Sequence, residues 1–138
     1  MAVHELQVEP LLSAIPEMVD WVEACCAAAG IGDATRFKMM LVVEEAVANV
    51  IRNAFRSMPP PHLIIVRLDI GSTLIVAEVI DNGAPFDPTS APDPDVSLPA
   101  EEREPGGLGI LLMRRLMDRL RYARRGDRNI LSLEKARD

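Results

Sequence analysis

At 138 residues the chain has room for one domain with one hydrophobic core, taken as residues 1–138, and none for two. Hydrophobic residues make up 49% and charged residues 26%, a globular balance that excludes disorder throughout. The net charge of −6 has the wrong sign for a protein that neutralises phosphates, so direct nucleic-acid binding is not expected.

Apolar runs such as residues 39–43 fall far short of the roughly 20 residues that cross a bilayer, so no membrane segment is expected. The start, Met-Ala-Val-His-Glu, has neither a basic stretch nor an apolar signal core, which predicts a cytoplasmic location. Adjacent Cys25 and Cys26 lack CxxC spacing and read as buried packing residues. His4 and His62 are too few and too scattered for a zinc site.

In chain order, residues 3–8 alternate like a short half-buried strand, and residues 13–29 form a first helix closed near Gly30. Asp33 is expected to cap a second helix over residues 34–57. Its apolar positions Phe37, Met40, Leu41, Val43, Val47, Val50, Ile51 and Ala54 recur at three- and four-residue steps, and Pro59, Pro60 and Pro61 stop it. Residues 63–70 and 74–80 are β-branched strands joined at Gly71-Ser72, a predicted hairpin. Five prolines between Asp87 and Gly106 make residues 86–105 an irregular loop, and a loop that long inside a compact domain is usually a functional lid or a disordered segment. Residues 106–120 read as a third helix, and residues 121–125 and 129–134 as a terminal hairpin across Gly126-Asp127. This order implies an α+β, two-layer sandwich: a mixed, mostly antiparallel sheet with its helices on one face.

Charge is uneven along this layout. Residues 86–105 hold six acids against Arg103 alone, a net of −5, while residues 114–138 hold nine Lys/Arg against four acids, a net of +5. Such runs are usually solvated faces, and the alternative is that they steer a protein partner.

Three motifs could carry chemistry. Glu45 and Asn49 lie four apart on one face of the second helix, with Asn53 a further turn along; this is either an ordinary amphipathic surface helix or a carboxylate that orients or deprotonates a nucleophile, one turn from an amide oxygen suited to Mg²⁺. Asp81-Asn82-Gly83 ends an apolar strand, where an acid can accept from an exocyclic amine and glycine lets the backbone come close to a flat ring. Gly106, Gly107 and Gly109 open an apolar helix, whose free N–H groups form an anion site. No Gly-Lys-Ser/Thr follows, so this is not a Walker loop.

In that order the motifs resemble the N, G1 and G2 boxes of the GHKL (Bergerat) ATP-binding superfamily. Within it the chain is most similar to the small anti-sigma-factor serine/threonine kinases, through the Glu-Glu-Ala-x-x-Asn helix, the Asp-Asn-Gly turn and the Gly-Gly-Leu-Gly-Ile segment. The resemblance implies Glu45 as catalytic base, Asn49 as Mg²⁺ ligand and Asp81 as the adenine carboxylate. Gly83 would lie against the base, and Gly107, Leu108 and Gly109 against the phosphates. It implies ATP and Mg²⁺ as cofactors, residues 86–105 as the ATP lid, and a homodimer that phosphorylates a small anti-sigma antagonist and sequesters a sigma factor. Ala84-Pro85 departs from the pattern of the wider superfamily, and Asn53 from that of the small kinase group. The rival readings are a non-enzymatic nucleotide-binding partner switch and a detached histidine-kinase catalytic domain.

Overall fold

The structure, a computed structural model, describes residues 2–90 and 107–138. The predicted lid therefore lies outside the described residues from position 91 onward. Five strands, β1 (Ala2–Val8), β2 (Ile64–Ile70), β3 (Leu74–Asp81), β4 (Arg119–Arg125) and β5 (Arg128–Ala136), form one sheet in the order β1-β2-β3-β5-β4. Each of the four ladders is antiparallel. Three helices, α1 (Ile15–Ala28), α2 (Asp33–Asn49) and α3 (Gly107–Leu116), complete the second layer.

Period-two alternation builds this sandwich. In β2 every second residue from Ile64 to Ile70 is buried, as are Ile75, Ala77 and Val79 in β3 and Leu131 and Leu133 in β5. These side chains meet Met18 and Val22 of α1, Met39, Val43 and Val47 of α2, and Met113 of α3 in a single core. Pro16 lies in the first turn of α1, where its missing N–H is not needed, and Gly30 at φ 80° follows its end. The N–H groups of Gly30 and Ile31 then donate to the carbonyls of Ala27 and Cys26, each at 3.0 Å, closing the helix as expected. Cys25 and Cys26 are buried, and burial pushes the Cys26 thiol up to about 11, in keeping with a packing role.

The helix boundaries differ from the sequence reading in three places. Asp33 is the first residue of α2 and Gly32 occupies the cap, its carbonyl accepting from the Arg36 N–H at 2.9 Å. The predicted single helix over 34–57 stops as an α-helix at Asn49 and widens into a π-helical turn, Val50–Ala54, where the Phe55 N–H donates to Val50 O at 3.1 Å. Because α2 packs against both other helices and the sheet, Met39, Val42 and Ala46 are buried as well, while Phe37 is 59% exposed. Finally, α3 ends at Leu116 and β4 already begins at Arg119, since the Asp118 N–H joins the sheet by donating to Glu134 O at 2.9 Å. No Gly or Pro marks that switch, and the apolar positions Leu116 and Leu120 fit a helical step equally well.

Candidate functional site

On β3 the inward positions run Ile75, Ala77, Val79 and then Asp81, so the same alternation that builds the core delivers a carboxylate to its edge. Asp81 is only 3% exposed. Its Oδ1 accepts from the Gly83 N–H at 2.8 Å and from Asn129 Nδ2 at 2.9 Å, and Oδ2 has no partner among the described residues. Burial pushes the Asp81 carboxyl above its ordinary value. The Asn129 and Gly83 hydrogen bonds and the Arg124 charge oppose that shift.

Asn129 stands directly opposite Asp81 across the β3–β5 ladder. Its Nδ2 also donates to Ala84 O at 2.8 Å, while its Oδ1 accepts from the Tyr122 hydroxyl, from Arg124 Nη1 at 3.3 Å and from the Phe86 N–H at 3.4 Å. Arg124 Nη1 additionally donates to Gly83 O at 2.7 Å.

These groups surround a narrow cavity. Ala46, Val79 and Leu131 supply apolar wall, the Phe86 and Tyr122 rings and Pro88 line it further, and Asn49 and Asp81 bring polar groups into it. That lining suits a flat aromatic ring with one edge rich in hydrogen-bonding groups. Asn49 is 6% exposed, and its Nδ2 is buried without a partner among the described residues. An orphaned amide atom on such a wall is what a polar ligand would satisfy. Asn53, one turn further on, is exposed, because the wider π turn rotates it off the Glu45–Asn49 stripe.

Gly83 has a packing reason to be glycine. A Cβ there would lie 2.5 Å from Ala54 O and 2.7 Å from Ala54 C, while the Ala84 N–H donates to that same oxygen at 2.8 Å. The turn after β3 is thus fastened to the π turn. Gly109 shows the same logic: a Cβ would lie 2.4 Å from Glu45 Oε2, so the first turn of α3 rests against the carboxylate. Gly107 opens α3 beside the undescribed residues, and Leu108 is 50% exposed.

The sequence-derived candidates therefore form two adjoining groups, with Asn49 and Asp81 in the cavity and Glu45 with Gly109 one helical turn away along α2. The described beginning of the proposed lid, residues 86–90, is ordered by Asp87, which accepts from the Thr89 N–H at 2.8 Å and carries the helical turn Pro88–Ser90. Asn129, Tyr122 and Arg124 were not foreseen. The signal available was weak: an Asn just past a Gly-Asp turn, and one arginine among several. Among the described residues no three His, Cys, Asp or Glu side chains gather around a metal position, so a magnesium ion here would use the Asn49 amide oxygen and take its other ligands from phosphate and water.

Comparison with known proteins agrees with this geometry. A family described as the histidine kinase-like ATPase domain matches residues 8–135. The serine/threonine-protein kinase BtrW of Bordetella bronchiseptica is 36% identical over 100 residues, 71% of this chain and 68% of that protein. The RsbU and RsbW domains of Rv1364c from Mycobacterium tuberculosis superpose with a TM-score of 0.71 at 12% identity, covering 100% of this chain and 33% of that one. The histidine kinase domain of the blue-light activated kinase EL346 from Erythrobacter litoralis gives a TM-score of 0.56 at 19% identity, covering 91% of this chain and 60% of that one. Both structures share the fold, and this chain spans less than two thirds of either. No helix among the described residues is long and apolar enough to cross a membrane. With the family matched from Val8 to Lys135, this chain belongs to the histidine kinase-like ATPase domains of the GHKL superfamily.

Proposed function

We propose that this chain binds Mg-ATP between α2, the turn after β3 and the start of α3, and transfers the γ-phosphoryl group to a serine or threonine of a small anti-sigma antagonist, sequestering a sigma factor when the antagonist is absent. The observation that carries the reading is the contact of Glu45 with Gly109, one turn from a cavity that holds both Asn49 and an unpartnered Asp81 oxygen. The 36% identity to a serine/threonine-protein kinase supports the choice of acceptor hydroxyl.

Each residue has a defined task in this reading. Asp81 Oδ2 accepts a hydrogen bond from the 6-amino group of adenine. The N–H groups at Gly107, Leu108 and Gly109 bind phosphate at the positive end of α3. Magnesium, held partly by Asn49, would neutralise phosphate charge. Glu45 takes the proton of the acceptor hydroxyl as its oxygen bonds to the γ-phosphorus, and the bond to the β–γ bridging oxygen breaks to release ADP. Most of the rate enhancement comes from positioning and charge.

The test is transfer of label from γ-labelled ATP to a serine of the antagonist-type protein encoded nearest this chain's gene. Transfer by the native protein and its loss in Glu45→Ala are expected. Binding of ATP without transfer to that acceptor would favour a non-enzymatic switch.

A further inference from the structure

Asn129 spends its whole hydrogen-bonding capacity inside the protein. Both Nδ2 protons are used, on Asp81 Oδ1 and Ala84 O, and Oδ1 is turned toward β4, where Tyr122 and Arg124 donate to it. The Arg124 guanidinium and the Phe86 N–H can only donate, and the Tyr122 hydroxyl donates beside them, so together they decide which end of the amide faces Asp81. Turned over, the amide would set an oxygen against a carboxylate oxygen. Arg124 also holds the Gly83 carbonyl, and the Gly83 N–H binds the same Asp81 Oδ1. One Asp81 oxygen is thus saturated from two sides and the other is left for a ligand.

We infer that Asn129, Tyr122 and Arg124 are positioning residues that fix which oxygen of Asp81 meets the nucleobase, and thereby set a preference for a 6-amino over a 6-oxo purine. An ionised Oδ2 can only accept, so it pairs with a 6-amino donor and repels a 6-oxo acceptor. A protonated carboxyl could instead donate to the 6-oxo group. Among the described lining residues only Asp81 and Tyr122 titrate. The faces of α2 and the π turn contribute uncharged Ala46, Asn49 and Val50, and among the described residues Arg124 is the charged group hydrogen-bonded to the turn. The Asn129 hydrogen bond, the Gly83 N–H and the Arg124 charge all favour the carboxylate against burial. Losing any of them lets a proton bind at higher pH.

The inference rests on the ATP reading above, and calorimetry with ATP and ITP from neutral pH downward separates the two. The native protein is expected to prefer ATP at neutral pH and to lose that preference as Asp81 protonates. In Arg124→Gln and Tyr122→Phe, which alter groups at the sheet edge, the ATP-to-ITP affinity ratio at neutral pH is expected to fall by about 5-fold or more, and the midpoint of its loss to move to higher pH. Asn129→Leu is expected to do the same more strongly, and if it fails to fold the other two variants decide. A merely structural role would weaken ATP and ITP equally and leave the midpoint in place, and that result overturns the inference while leaving ATP binding standing. A native protein that binds neither nucleotide overturns both readings.

Discussion

Gly109 and Glu45 occupy one space: a methyl group on the glycine would sit 2.4 Å from Oε2 and 3.3 Å from the carboxyl carbon. Two elements far apart in the chain are matched at that point, α2 through an acid and α3 through a missing side chain. Gly109→Ala is expected to leave the fold intact, because the atom it meets is the end of a flexible side chain that can move aside. The displaced carboxylate then no longer faces the acceptor, so phosphotransfer should drop at least tenfold while ATP affinity changes by a few-fold at most. Steady-state kinetics beside calorimetry would show it, and unchanged turnover would dissociate the contact from the chemistry.

Glu45→Gln keeps the shape of the side chain and removes its basicity. Loss of a general base costs roughly 10²- to 10⁴-fold in rate. Nucleotide binding is expected to stay near native, since in the proposed mechanism the carboxylate acts on the acceptor. A variant that transfers phosphate at the native rate with a true acceptor would take Glu45 out of the mechanism.

Asp81→Asn sets stability against function. The folded carboxyl titrates above its ordinary 3.8, so holding it ionised is a cost to the folded state at neutral pH. Native stability without ligand is therefore expected to gain a contribution as pH falls through the folded value toward 3.8, and that contribution should be missing in the variant. At neutral pH the variant should melt no lower than the native protein, yet bind ATP more weakly by about 1 to 3 kcal/mol, because it presents a donor to an amine. Melting curves across pH and calorimetry at neutral pH read the two effects separately. Equal ATP affinity would remove Asp81 from adenine recognition.

Gly83→Ala tests the fastening of the turn to the end of α2. The added carbon would meet backbone atoms of Ala54 at 2.5 and 2.7 Å, and backbone cannot swing away as a side chain can. Overpacking of this kind costs about 1 to 3 kcal/mol. A lower melting temperature together with weaker ATP binding is expected, and a variant as stable as the native protein would show that the turn has room to shift.

Much of this was legible in the sequence, for local reasons. Strands β2 and β3 announce themselves by β-branched runs either side of Gly71-Ser72, and Glu45 with Asn49 by a four-residue step. Asp81 stands out as an acid at the end of an apolar strand, just before a glycine turn. What stayed hidden depends on distant or irregular geometry. Asn129 matters only because register places it opposite a residue 48 positions away. Arg124 looks like its solvated neighbours until β4 is seen to lean over the turn. Asn53 seemed to extend the polar stripe because a π turn has no sequence signature as plain as a proline or a glycine cap. The glycine at position 83 was legible as permissive, but its reason, the Ala54 backbone, was not.

Among the described residues the strand order leaves β4 at an edge of the sheet, where another chain could add a strand. Its arginines change what that edge can accept. Antiparallel self-pairing centred on Tyr122 would place Arg119 of one copy opposite Arg125 of the other, at both ends, and Leu120 opposite Arg124. Like charges directly opposed across a ladder are destabilising. The hairpin that holds Asp81 through Asn129 on its inner side therefore also carries a built-in deterrent against aggregation through its outer rim.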